Sequence, residues 1–437
     1  MTAALAPAVA LADPTAFGTP TASSTFDKEV DFDQPVELSA RPDRVEVLLT
    51  TPGAPGPNVT EVPPPSGAGS QTLHYALELA DGHLFPNTKV TAQWRLTFGT
   101  ASELGPAVSV LYADTRFDWK TKVGSIVRVH WYTGDDAFGT RALAIAEKGI
   151  ETAEAAFGVT ETAPVDFYVY ADQVPFYDAL GPGTRENVGG EAVAEIRTMF
   201  ALIGPDEVDA SWVSTVIPHE LTHLVFNTAV KNPYHFPPRW LNEGLAVYLS
   251  QGYDSDDQGL VAGAAGSGAI MPLTALVGQF PTNADRFYLA YAESVSAVDY
   301  LIKTDGQTAV DRLIAAYATG VTDDAAFTAA IGMDMTAFDA AWQASIHAKT
   351  PVKTGPQPAP AGPLPPGWSG SPPAGAASPG PGSSGAATTP INAAPAPAAP
   401  ADSGPSDTTP IVALGIVLIV AAVIAALWLV RRRRTVV

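Results

Sequence analysis

The chain has 437 residues, with 24 Lys and Arg against 45 Asp and Glu, a formal net charge of −21, and no cysteine. That length has room for two or three domains. The missing thiols exclude a disulfide framework and thiolate metal ligation, and so acidic a body argues against nucleic acid as a partner, because phosphate binding needs a basic surface.

The opening run MTAALAPAVALADPT is short and apolar and ends Ala10, Leu11, Ala12 before Asp13, a small-residue cleavage pattern. No Lys or Arg precedes Lys28, so the basic part of a secretory signal is missing. Residues 1–25 are expected to be the remnant of a signal peptide, or an Ala-rich tail, followed by a flexible leader. From residue 26 to about 120 the hydrophobic period is two. In KVTAQWRLTF, Val90, Ala92, Trp94, Leu96 and Phe98 alternate with polar residues, which predicts a half-buried strand. RVEVLLTT, TLHYALELA and AVSVLYADTRFDW read as further strands, with PGAPGPNVTEVPPPSGAGS as a long loop between two of them. The expectation is a small antiparallel β-sandwich-like domain, serving as a binding or positioning module or as a spacer. His74 and His83 within it are read as surface or turn residues.

At Ser125 the pattern changes. IVRVHWYT predicts a strand, DAFGTRALAIAEKGIETAEAAFG an amphipathic helix ending at Gly158, and VDFYVYA another strand. VPFYDALG suggests a short helix, and GGEAVAEIRTMFALIG a hairpin. Then comes His219, Glu220, Leu221, Thr222, His223, an H-E-x-x-H pattern. On a helix, residues i and i+4 lie about 40° apart around the axis, so both imidazoles face one way and suit a Zn2+ ion. Glu220 projects from the neighbouring face, too far round to ligate but placed to take a proton from an attacking water. Pro218 either kinks this helix or marks its first turn. A catalytic zinc needs a third protein ligand and an open position. After His223 the residues LVFNTA lack the Gly and His of a metzincin. Nineteen residues separate His223 from Glu243, which lies on an otherwise apolar helical pattern, WLNEGLAVYLS, where a carboxylate is costly to bury unless paired or metal-bound.

HELTH followed by WLNEGLA resembles the gluzincin zinc metallopeptidases, and specifically the bacterial peptidase MA-like proteins, loosely from about Ser125 to His347. The resemblance implies a thermolysin-like α+β catalytic domain over residues 125–350, with His219, His223 and Glu243 holding Zn2+ and Glu220 as general base. It implies an edge strand above the zinc helix that pairs with extended peptide substrate. Thr198, Met199, Phe200, Ala201 and Leu202 are the candidates for it, although they read equally as a buried core strand. It also implies an oxyanion-stabilising tyrosine from the C-terminal helices, for which Tyr291 and Tyr288 are candidates, core packing being the other explanation of their stripe. In the loop NPYHFPPRW, His235 could hydrogen-bond an oxyanion or simply face solvent.

YDSDDQG lacks the ligand pattern of a calcium loop and reads as a solvated acidic loop. Four helical patterns follow, at roughly 285–303, 307–318, 323–331 and 335–348. Residues 351–410 are Pro, Ala, Gly and Ser with almost no charge, the composition of a disordered tether. Ile411 to Val430 are twenty uncharged residues, about 30 Å as a helix and enough to span a bilayer. Arg431 to Arg434 follow, so the positive-inside rule places residues 431–437 in the cytoplasm and the body outside. The whole reads as a membrane-anchored extracellular zinc metallopeptidase acting on peptides or proteins. The alternative is a non-catalytic surface binding or adhesion protein built on the same fold.

Overall fold

The computed structural model describes residues 15–79, 83–181 and 189–349. The expected tether, membrane span and Arg-rich tail lie outside the described residues, as do the first fourteen residues of the leader. Among the described residues no helix is long and apolar enough to cross a membrane.

The N-terminal part is two antiparallel sheets over one core. The first joins β1 (Ala16–Phe17), β2 (Thr21–Thr25), β3 (Glu29–Leu38) and, beyond the long loop, β6 (Gly69–Glu78). The second joins β4 (Arg44–Thr50), β5 (Asn58–Val62), β7 (Thr88–Phe98), β8 (Ala101–Leu104) and β9 (Val108–Tyr112). Val30, Phe32 and Val36 from one sheet meet Val45, Val47, Trp94 and Leu96 from the other, the alternation that a sheet buried on one face requires. Two expectations are corrected here. The domain begins near residue 15 rather than 26, since the Thr/Ser-rich run Thr21–Thr25 pairs with β3. The Pro/Gly stretch also contains a strand, β5, paired to β4.

The second part is built on a five-stranded sheet in the order β10 (Lys120–Val123), β11 (Val127–Trp131), β12 (Val165–Tyr170), β14 (Thr198–Leu202), β13 (Gly190–Val193). The β11–β12 and β12–β14 pairs are parallel, and the two outer pairs antiparallel. One face packs on α1 (Asp136–Phe157), capped by Asp135 and ended by Gly158 in the left-handed region. The helices that follow are α2 (Gln173–Leu180), α3 (Val213–Ala229), α4 (Arg239–Ser250), α5 (Ser255–Ser267), α6 (Ala284–Asp305), α7 (Gln307–Tyr317), α8 (Asp323–Ile331) and α9 (Met335–Ser345). The acidic stretch after Ser250 is therefore not a loop. Asp254 caps α5, accepting from the amides of Asp256 and Asp257, and the carboxylates of its first turn suit the helix dipole.

The other face of the sheet carries Asp166, Tyr168, Tyr170 and Phe200, and it is covered by Phe85, Phe117 and Trp119. Asn87 donates to Asp166 Oδ2 and to Thr198 Oγ1, both at 2.9 Å. The ring of His83 lies where a Cβ on Gly181 would stand. His83 is thus an interface residue, not a surface one, and burial lowers its pKa. His74 is exposed, with Nδ1 2.9 Å from Asp33.

Candidate metal centre

The first metal helix, α3, buries Val213, Ile217, Leu221, Leu224 and Val225, a run of i, i+4 neighbours on one face. Pro218 is its sixth residue, well past the first turn. α1 packs closely on α3 at this point, where a Cβ on Gly149 would come within 3.1 Å of Pro218 Cα. His219 and His223 project from the half-exposed side, with their Nε2 atoms 3.2 Å apart.

The second helix, α4, starts after Pro238, with the Arg239 and Trp240 amides donating to Val277 O and Leu276 O. Gly244 lets it lie directly on α6, for a Cβ there would fall 2.5 Å from Ser294 O. This close approach sets Glu243 at 6 % exposure, with Oε2 3.5 Å from His219 Nε2 and 3.4 Å from His223 Nε2. Two donors each ~2.0–2.1 Å from a tetrahedral ion are themselves ~3.3 Å apart, and all three sides of this triangle match. Glu243 Oε2 is buried with no hydrogen-bond partner, as expected of an atom waiting for a cation. The three residues are the set among the described residues able to converge on a metal ion, and they fit one.

The electrostatics agree. Burial alone would raise the Glu243 pKa, but the two imidazoles outweigh it and hold the carboxyl well below the usual range. Burial would lower His223, yet Glu243 pushes it up to about 9. Asn242 Oδ1 lies 2.9 Å from His223 Nδ1. It accepts that N–H and leaves Nε2 to face Glu243, the outer support usual for a ligating histidine.

The remaining candidates divide. Glu220 lies against the backbone of β13, where a Cβ on Gly190 would come within 2.8 Å of its Cγ. Tyr291 on α6 is in the site, with its ring 6.3 Å from that of His219. Burial raises its pKa. Tyr288 is 49 % exposed and packs on Phe287, so α6 turns it out of the site. His235 is bound elsewhere: its Nε2 is 2.8 Å from Asp323 and its ring stacks on Tyr317. It ties the loop to α7 and α8 and is not placed to meet an oxyanion. Thr198–Leu202 is corrected as well. It pairs with β12 on one side and β13 on the other, and its first four residues are buried, so it has no free edge for a substrate. The open edge over α3 belongs to Gly190–Val193.

Three residues at the site went unread in the sequence. Asn242 is flagged only by its place before Glu243. Arg239, one helical turn before Glu243, lies 2.8 Å from its Oε1. Glu191 on β13 is pushed up to about 7 by burial and by Glu220, and only the strand order could have shown it.

A family model for the Peptidase MA superfamily matches residues 145–348. No curated protein matches the chain. Among solved structures, an aminopeptidase N family protein from Idiomarina loihiensis is similar at a TM-score of 0.37 and 12 % identity, over 72 % of this chain and 73 % of that one. A mutant M1 zinc metallopeptidase from Deinococcus radiodurans, bound to a Tyr-Ser-Ala substrate, is similar at a TM-score of 0.35 and 13 % identity, over 72 % of this chain and 90 % of that one. The matched segment contains both helices of the cluster, so it is over residues 145–348 that the chain is similar to the Peptidase MA superfamily.

Proposed function

We propose that this is a zinc-dependent peptidase with a thermolysin-like gluzincin catalytic domain, in which His219, His223 and Glu243 hold the metal. The observation that carries the reading is the convergence of three donor atoms on one point, with Glu243 Oε2 left without any other partner. Zinc bound there would polarise a scissile carbonyl and bring the pKa of water towards ~7. The chain's own groups supply the rest. The free edge of β13 offers backbone amides and carbonyls to an extended peptide by strand addition. Glu220, beside that edge, takes the proton of the attacking water and returns it to the leaving amine. Tyr291 offers its hydroxyl to the developing oxyanion, and Asn242 keeps the His223 ring in its tautomer.

The test separates binding from catalysis. Glu220→Gln keeps the ligands and removes the base, so bound zinc should be unchanged while turnover of a mixed peptide library falls on the order of 10²-fold or more. Unchanged turnover would falsify the assignment.

Placement at the cell surface belongs to the same proposal and rests on the sequence: an uncharged run at Ile411–Val430 with Arg431 to Arg434 directly after it. Protease added to intact cells should cut in residues 351–410, which are Pro/Gly-rich, and release an active soluble fragment. Protection of the whole chain until lysis would place the enzyme inside.

A further inference from the structure

Arg239 sits where helix physics disfavours it. It is the first residue of α4, and a cation in the first turn opposes the helix dipole. Its Nε is buried without a hydrogen-bond partner, a further penalty for a charged group. Against these costs stand three contacts, all at the metal cluster. An Nη2 atom lies 2.8 Å from Glu243 Oε1. The guanidinium interacts electrostatically with Tyr291. It also lies over the Phe280 ring, 5.0 Å from its centroid. A residue that breaks local rules with its contacts gathered at a site is kept for the site.

The geometry points to Arg239 as a positioning residue that confines Glu243 to ligation through one oxygen; this rests on the zinc reading above. The two Glu243 oxygens have separate partners: Oε2 faces both imidazoles, and Oε1 is engaged by the guanidinium. A carboxylate free to turn can give zinc both oxygens, and the second would add a fifth donor that crowds the position a catalytic site keeps open for water and substrate. A charge-assisted hydrogen bond to Oε1 prevents that turn. The same planar group stacks on the Phe280 ring, and a flat cation that pairs in its plane and stacks on its face is what Arg offers and Lys does not.

The test uses the full chain with Co2+ in place of zinc, because the visible absorption of cobalt is strong in four-coordinate tetrahedral sites and weak in five-coordinate ones. Arg239→Met should keep one metal per chain and lose roughly half or more of that absorption as coordination expands from four to five. Its kcat should fall about 10- to 100-fold, with KM little changed. Arg239→Lys, which restores one donor, should recover part of the absorption. Arg239→Gln is measured in parallel, so that a misfolded Met variant, seen by circular dichroism, leaves a second variant on which the same results decide. An unchanged cobalt spectrum overturns the inference. Loss of the metal overturns it too, because Arg239 would then only hold Glu243 in place. A wild-type chain without stoichiometric metal is a different failure, which overturns the zinc reading beneath it.

Discussion

At the scale of single residues, buried carboxylates define the chemistry, and they are offset in opposite ways. Glu243 stays ionised because two imidazoles and Arg239 surround it. Glu293 on α6 meets a backbone amide instead: its Oε1 accepts from the Met271 amide at 3.1 Å, and its Oε2 is buried without a hydrogen-bond partner. Burial first, and then Asp339, push it up to about 8, so it is protonated in the folded protein at neutral pH. For an acid raised on folding, the stability is fully present below the unfolded pKa of ~4.3 and is lost as pH rises through the folded value. Wild-type stability should therefore decline between about pH 4.5 and 8, by at most ~1.4 kcal/mol per unit from this group. Glu293→Gln should flatten that decline, so its melting point gains on the wild type between pH 5 and pH 8. Parallel profiles would show that Glu293 does not titrate in this window. The convergence of His219, His223 and Glu243 was legible because two histidines at i, i+4 share a helix face and a carboxylate on an otherwise apolar helix needs a partner. Arg239, Glu191 and the choice between Tyr291 and Tyr288 were not, because each depends on which elements meet in space.

At the scale of elements, the site depends on how closely α3, α4 and α6 approach. The Gly149–Pro218 contact places α3 against α1, and Gly244 places α4 against α6. A methyl group at Gly244 would have to displace backbone at Ser294, which cannot swing aside as a flexible side chain could. Gly244→Ala should destabilise the fold by about 1–3 kcal/mol and loosen zinc, measured by thermal melts and chelator competition. A variant as stable as wild type, with full zinc affinity, would mean that the two helices have slack. The helices at 285–303, 307–318 and 335–348 were readable because each has an apolar face. α5 was not, since its LVAGAAGSG run is made of small residues without amphipathic contrast. The sheet edge was misplaced for a different reason: alternation identifies a strand, but the order β12-β14-β13 is decided by packing.

At the scale of the molecule, the N-terminal sandwich is neither spacer nor appendage. Its segment around Phe85 and Asn87, with Phe117 and Trp119 from the connection to β10, joins α2 in covering the aromatic and polar face of the sheet. Arg116 adds a clasp, 2.7 Å from Asp178 on α2. The metal helices lie on the opposite face, so the sheet is sandwiched between its cover and its chemistry. Everything proposed for the catalytic face stands on one metal ion held by three named side chains. The measurement that bears on it most directly is the zinc content of the purified chain beside that of Glu243→Ala. The account predicts one zinc per chain in the first and loss of stoichiometric zinc in the second, with both proteins folded by circular dichroism. Full zinc occupancy in Glu243→Ala would contradict it.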